Sequence, residues 1–259
     1  MRVEFLGLPG AGKTTIRRAL LERLKNKNAE KYITSEEACY KRMRLDGDKV
    51  YRYLLGVLPY KAGLDFSGWM QGRSLFQLEA QNSFLARYGK ALNAFLSSIV
   101  YEKMSLEDKK NVMGSFLGTG SVWDLLNTPS FIDSMIFFEE GFVQKSFMFV
   151  DHNHSSGIIN SSLREYLQNI PLPDVVIHVR TDISISHRRM LEREDGLTNR
   201  LKGLDEISID KFLSSAEGHI DNIRKELSSK ADCKVIDIVN EGSLEGVIES
   251  LLKKLQPYI

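Results

Sequence analysis

Apolar residues along this chain follow two rhythms. Short, nearly unbroken runs at 3–6, 31–34, 134–138, 175–179 and 234–239 read as strands, and the last three have the continuous look of parallel strands covered on both faces. Between them apolar positions recur at helical spacing. Ile16, Ala19, Leu20 and Leu24 predict a helix after the first run, with Arg17, Arg18, Glu22 and Arg23 filling its other face. Leu75, Leu78, Leu85, Tyr88, Leu92, Phe95 and Ile99 step by three, four or seven along a proline-free stretch and predict a long core-packing helix. Further helical segments fall at about 158–170, which Pro171 cuts off, and at 183–194 and 244–255. Alternation of this kind predicts an α/β fold: a three-layer α/β/α sandwich on a parallel five-stranded sheet with right-handed crossovers. A helical insertion at about 40–130 separates the second and third strands, and the chain reads as a single domain over 1–259.

The junction of the first strand and first helix carries the strongest chemical signal. Gly7-Leu8-Pro9-Gly10-Ala11-Gly12-Lys13-Thr14 fits GxxxxGKT, and it lies between a strand and an amphipathic helix, the context that gives the motif meaning. Gly7, Gly10 and Gly12, with Pro9 and Ala11 between them, let the backbone wrap so that its amides face phosphate oxygens, and the helix starting near Thr15 adds its positive end. Lys13 is placed to reach the β- and γ-phosphates of a nucleotide such as ATP, and the Thr14 hydroxyl to hold a Mg²⁺ bridging them.

Charge and composition narrow the field. The 259 residues carry 35 Lys and Arg against 34 Asp and Glu, and a net charge of +1 gives no general field for a nucleic-acid backbone or an anionic membrane. No run of 18 apolar residues occurs and Met1 leads directly into the first strand, so a soluble cytoplasmic protein is expected. Cys39 and Cys233 stand apart without a CxxC or His-rich neighbour and read as buried thiols. Asp151-His152-Asn153-His154 lacks the further ligands of a metal site and reads as a polar loop near the acceptor.

The segment FLGLPGAGKTT, taken with a basic stretch after the fourth run, resembles the nucleoside and nucleotide kinase branch of the P-loop fold, especially the thymidylate kinase and deoxynucleoside kinase families. The resemblance covers about a third of the chain, and the region between Tyr40 and Asn127 contributes none of it. It implies a lid at about 182–203 in which arginines four apart close over the phosphates, as Arg189 and Arg193 are spaced to do, with Arg188 and Arg200 second in rank. Residues four apart share a helix face, so the two guanidiniums can converge on one anion; the competing reading is a solvated face balanced by Glu192, Glu194 and Asp195. The resemblance also implies a carboxylate after the second strand and an acid followed by arginine after the third. Here those segments offer Glu36 and Glu37, then Glu139 and Glu140, any of which could hold acceptor or metal. No proline follows Glu36 and no arginine follows the second acid, which departs from the families' pattern. The turn Asn240-Glu241-Gly242 after the last strand corresponds to the place where related kinases often hold the base.

These features point to a Mg²⁺- and ATP-dependent phosphotransferase acting on a small-molecule hydroxyl or phosphate: a nucleoside, nucleotide or sugar. Arg73, Gln77 and Gln81, near one helical turn apart, could present polar groups to that acceptor. No nucleic-acid or membrane partner is expected, and a homodimer is allowed. The alternative is a regulatory ATPase that grips a protein partner. The absence of an NKxD string lowers a GTPase switch but not an ATPase.

Overall fold

The computed structural model describes residues 1–45, 75–150, 156–192, 197 and 201–259. Each apolar run becomes a strand: β1 (Arg2–Leu6), β2 (Tyr32–Thr34), β3 (Met135–Phe138), β4 (Val175–Arg180) and β5 (Lys234–Val239). They form one sheet in the order β2-β3-β1-β4-β5 with every pairing parallel. β1 is therefore central, with Val3 paired to Phe137 on one side and Val175 on the other. Crossovers leave β1 first toward β2 and β3 and later toward β4 and β5, so the loop at its carboxyl end sits where the strand order reverses.

Helix α1 (Lys13–Asn28) follows that loop and packs against α10 (Leu244–Leu255). Between β2 and β3 come α2 (Ser35–Leu45), α3 (Leu75–Leu96), α4 (Ile99–Lys103) and α5 (Leu106–Leu125). The short α6 (Phe142–Lys145) leaves β3; α7 (Ser156–Asn169) precedes β4, and α8 (Ile183–Leu191) and α9 (Glu206–Ser228) join β4 to β5. Among the described residues no helix is long and apolar enough to cross a membrane. Cys39 and Cys233 are buried and unbridged.

Three local features refine the sequence reading. Ser35, Glu36 and Glu37, just after β2, open α2 directly. The cause is a reciprocal cap, in which Thr34 Oγ1 accepts the Glu37 amide proton at 3.1 Å and Glu37 Oε2 accepts that of Thr34 at 2.9 Å. Arg17 is not on the solvated face of α1 but buried beside Leu20, Leu21 and Leu24, the residues three, four and seven positions on. The long stripe does pack on the core, but not as one straight helix: α3 kinks at Tyr88 (φ −122°, ψ 16°) and ends at Leu96, with Ala80, Phe84, Ala91, Leu92 and Phe95 buried and Leu85 and Tyr88 partly covered.

One aromatic cluster fixes the chain leaving β3. Phe142 stacks on Phe84 at 5.2 Å between ring centroids and meets Phe116 edge-on at 5.3 Å, and Trp123 lies 5.0 Å from Phe138. The loop 139–141 is thus gripped at both ends by rings from α3 and α5. Gly120 makes the Phe84 contact possible, because a Cβ there would stand 2.4 Å from the ring. Crowding a filled core typically costs about 1–3 kcal/mol. Gly120→Ala should therefore lower the thermal midpoint by several degrees in circular dichroism; an unchanged midpoint would show that the cluster has slack.

Candidate active site

The loop 7–14 is shaped from outside itself. The Ala11 carbonyl accepts hydrogen bonds from Asn240 Nδ2 at 2.7 Å and Thr181 Oγ1 at 3.2 Å, side chains just beyond the ends of β5 and β4. In a trans peptide the C=O and the following N–H point in opposite directions, so holding this carbonyl outward turns the Gly12 amide inward. The Gly7 amide donates to Gln144 Oε1 at 3.1 Å. Gly10 and Gly12 have φ of 83° and 88°, and a Cβ would stand 2.2 Å from the Ser186 carbonyl oxygen at the first and 2.4 Å from Asn240 Nδ2 at the second. Only glycine tolerates both the backbone and the close approach at these two positions.

Helix α1 starts on Gly12 with no side-chain cap and no acidic residue in its first turn. That differs from α4, α5, α8, α9 and α10, each capped by the side chain of Ser98, Ser105, Asp182, Asp205 or Ser243. An uncapped N-terminus of this length presents unsatisfied amides and a positive dipole end to an anion. Lys13 folds over the same mouth, its ammonium donating to the Gly7 carbonyl at 2.7 Å and the Leu8 carbonyl at 2.9 Å. Pro9 is partly buried and Thr15 exposed.

The acids divide into separate roles. Glu139, immediately after β3, accepts the Thr14 hydroxyl at 3.0 Å through Oε1 and pairs with Arg17 Nη2 through Oε2. Arg17 Nη1 lies 3.9 Å from Glu36 Oε2, so one guanidinium draws together the acids that follow β2 and β3. Glu37 is turned away: its carboxylate takes Lys25 Nζ at 2.5 Å and the Thr34 amide. Glu140 is exposed and stands 4.0 Å from Lys145. A small cavity of about 40 Å³ is lined by Phe5, Lys13, Thr14, Arg17, Glu139 and Glu140. The arginine absent after the acid of β3 is matched by a guanidinium from α1, which a reading of α1's burial face could have revealed.

On the α8 side, Arg189 Nη2 donates to the Asn240 carbonyl at 3.4 Å, and its buried Nη1 has no hydrogen-bond partner. Nη1 is also 3.8 Å from where a Gly12 Cβ would stand, so the unused donor lies against the loop. Arg188 is exposed and reaches only Glu192, at 3.9 Å. Arg193, Arg200, Glu194 and Asp195 lie outside the described residues, as do Arg73 and the 151–154 segment. Gln81 is partly buried on α3, and Gly242 is exposed with open space around it; Asn240, two residues earlier, makes the contact with the loop. A larger cavity of about 420 Å³ opens beside Leu8 at the carboxyl ends of β4 and β5. Its wall includes His178, which contacts Asp237 at 2.7 Å and which burial holds below the usual imidazole range.

Beneath the loop is a residue that the strand pattern passed over. Glu4 is fully buried on β1, where its Oε1 accepts the Gln144 amide at 2.6 Å and its Oε2 has no partner. It thereby caps α6 and holds Gln144 in place for the Gly7 amide. Burial pushes the Glu4 carboxyl up to about 7, against the opposing pull of the Gln144 and Val143 amides and of Lys145. A charged residue inside the otherwise apolar run 3–6 is the signal that could have found it.

No family model matches the chain, and no curated protein matches it. Among solved structures it is similar to deoxyadenosine kinase from M. mycoides with bound dCTP, at 16% identity over 99% of this chain and 100% of that one, with a TM-score of 0.48. It is similar also to thymidylate kinase from Ehrlichia chaffeensis (13% identity, 99% and 98% covered, TM-score 0.45). A third is shikimate kinase from Acinetobacter baumannii in complex with shikimate (14% identity, 99% and 93% covered, TM-score 0.43). All three are kinases by their names.

The buried Glu4 has a consequence for stability. Its folded carboxyl titrates at about 7 against an ordinary 4.5, so the folded protein holds a proton that the unfolded chain has lost across that window. The stabilisation is full below about 4.5 and is lost as pH rises through about 7, a change on the order of 3 kcal/mol. Glu4→Gln, which cannot ionise, should gain stability relative to the native protein between pH 5 and pH 8 in urea unfolding. Parallel pH profiles for the two would contradict the assignment.

Proposed function

We propose that this protein is a nucleotide-dependent phosphotransferase, an ATP- and Mg²⁺-using kinase of a small-molecule hydroxyl or phosphate. The observation that carries the reading is the uncapped start of α1, with the Ala11 carbonyl held outward and Lys13 and Arg189 at its mouth. Each of these groups offers positive charge or a donor to one place, and no side chain of α1 itself answers it. A polyphosphate fits that set. The inward amides would bind bridging and non-bridging oxygens, Lys13 would neutralise the β- and γ-groups, and Arg189 Nη1 would gain the acceptor it lacks.

The Thr14 hydroxyl and the Glu139 carboxylate are hard oxygen donors beside a small cavity, and they suit Mg²⁺. Bound there, the ion would offset the negative charge of the transferring group. Thr14 would offer an oxygen lone pair to it while still donating its proton to Glu139. Glu139, Glu140 and Glu36 form the acidic side of the site, where a carboxylate can orient or deprotonate an incoming hydroxyl. Glu37 is engaged in capping α2 and is left out of this role. The kinases similar in fold act on nucleosides, thymidylate or shikimate by their names, and the same broad class of acceptor, a small polar molecule, is proposed here.

ADP release measured over a panel of nucleosides, nucleotides and sugars with Mg²⁺ and ATP tests the assignment. Acceptor-dependent release is expected, and release that no small acceptor stimulates would favour a partner-gripping ATPase. Lys13→Ala should keep its fold, weaken ATP binding and remove most turnover, since this lysine opens α1 and fills no core space. Arg189→Ala should lower kcat by roughly 10²-fold or more with a smaller change in KM for ATP, whereas Arg188→Ala, exposed on α8, should change little. Equal effects of the two arginine variants would remove Arg189 from the site.

A further inference from the structure

Arg17 is an unusual tenant for the position it holds. It is 7% exposed, on the second turn of α1, and neither its Nε nor its Nη1 has a hydrogen-bond partner. Burying a guanidinium with unused donors is costly, so its place calls for a reason. Rescue of buried carboxylates is not the reason, because the side chains of Glu139 and Glu36 are 41% and 40% exposed and water could solvate them. The charge of the small cavity supplies one. Lys13 and Arg17 contribute two cations to its lining and Glu139 and Glu140 two carboxylates, which sum to zero. Among the described residues no three His, Cys, Asp or Glu side chains gather to hold a metal ion.

A bare divalent cation entering this cavity meets no net field, and the carboxylate nearest to Thr14 is already paired. A polyphosphate on the loop changes the balance by several negative charges. We propose that Arg17 makes metal binding conditional on nucleotide: by neutralising Glu139 it keeps a free divalent cation off the site and admits one only with the polyphosphate. When a cation draws on Glu139, the guanidinium still has Glu36 within 3.9 Å, so it is not stranded. This inference rests on reading loop 7–14 as a nucleotide site, and it assigns to Arg17 a positioning role in that site.

The test is a Mn²⁺ titration, followed by electron paramagnetic resonance, of nucleotide-free native protein, Arg17→Met and Arg17→Lys. Removing one positive charge beside a paired carboxylate should tighten Mn²⁺ binding by about tenfold or more in Arg17→Met. Arg17→Lys, which keeps the charge, should bind Mn²⁺ as weakly as the native protein. Adding ADP should bring the native protein to tight Mn²⁺ binding. General damage to the site would weaken metal binding, so a gain is specific to the charge account. Equal Mn²⁺ affinity in native and Arg17→Met, or equal tightening in Arg17→Met and Arg17→Lys, would overturn it. If Arg17→Met does not fold, Glu139→Gln decides: ADP in EDTA should bind more tightly than to the native protein and gain less from Mn²⁺, and an unchanged gain refutes the proposal. ADP that binds the native protein neither in EDTA nor with Mn²⁺ would remove the nucleotide reading itself, an outcome distinct from any result of the nucleotide-free titration.

Discussion

A loop of the kind proposed here to receive phosphate must keep its carbonyls turned out and its amides turned in, against a peptide chain's tendency to pair them. Here that work is done by side chains remote in sequence. Asn240 and Thr181 hold the Ala11 carbonyl from 229 and 170 residues away, and Gln144 holds the Gly7 amide from 137. All three sit at the carboxyl ends of β5, β4 and β3 or just beyond, so the loop takes its shape only when the sheet is assembled. Glu4 and the aromatic cluster serve the same end one layer down. The first caps α6 and thereby aims Gln144, and the second fixes the chain from Phe138 to Phe142 that carries Glu139.

The second organising feature is a charge balance across α1. Its N-terminal turn is left bare and positive, while Arg17, one turn on, is buried and shared between acids arriving from two different strands. Cations thus face the loop from Lys13 and Arg189, and carboxylates face it from the β2 and β3 side. An anion carrying a divalent metal suits such a divided site better than either partner alone.

Much of this was present in the sequence because its causes are local. Continuous apolar runs marked the last three strands and shorter apolar stretches the first two, and the glycine spacing with Lys13 and Thr14 marked the loop, since strand burial and tight turns act over a few residues. Glu139 was also in view, as the acid leaving the third run. What escaped depends on distance or on reading a face more closely. Gln144 is an ordinary polar residue until the sheet brings it to the loop, and Asn240 was in view only as part of the turn where related kinases hold the base, since no spacing rule connects positions 137 and 229 apart. Arg17 and the Thr34–Glu37 cap were within reach. The interval from Arg17 to Leu20, Leu21 and Leu24 places it on the buried face, and Thr-x-x-Glu before a helix is a capping signature. The stripe from Leu75 to Ile99 was legible as core packing, since Leu85, Tyr88, Leu92 and Phe95 all pack on the core, but not the kink at Tyr88 or the break after Leu96.

Binding of a non-hydrolysable ATP analogue to the native protein, followed by calorimetry with and without Mg²⁺, tests the central claim most directly. The account predicts one saturable site per chain, tightened by Mg²⁺ and competed by inorganic tripolyphosphate, because the loop recognises the phosphates. Absence of binding at millimolar analogue, or binding that tripolyphosphate leaves untouched, would contradict it.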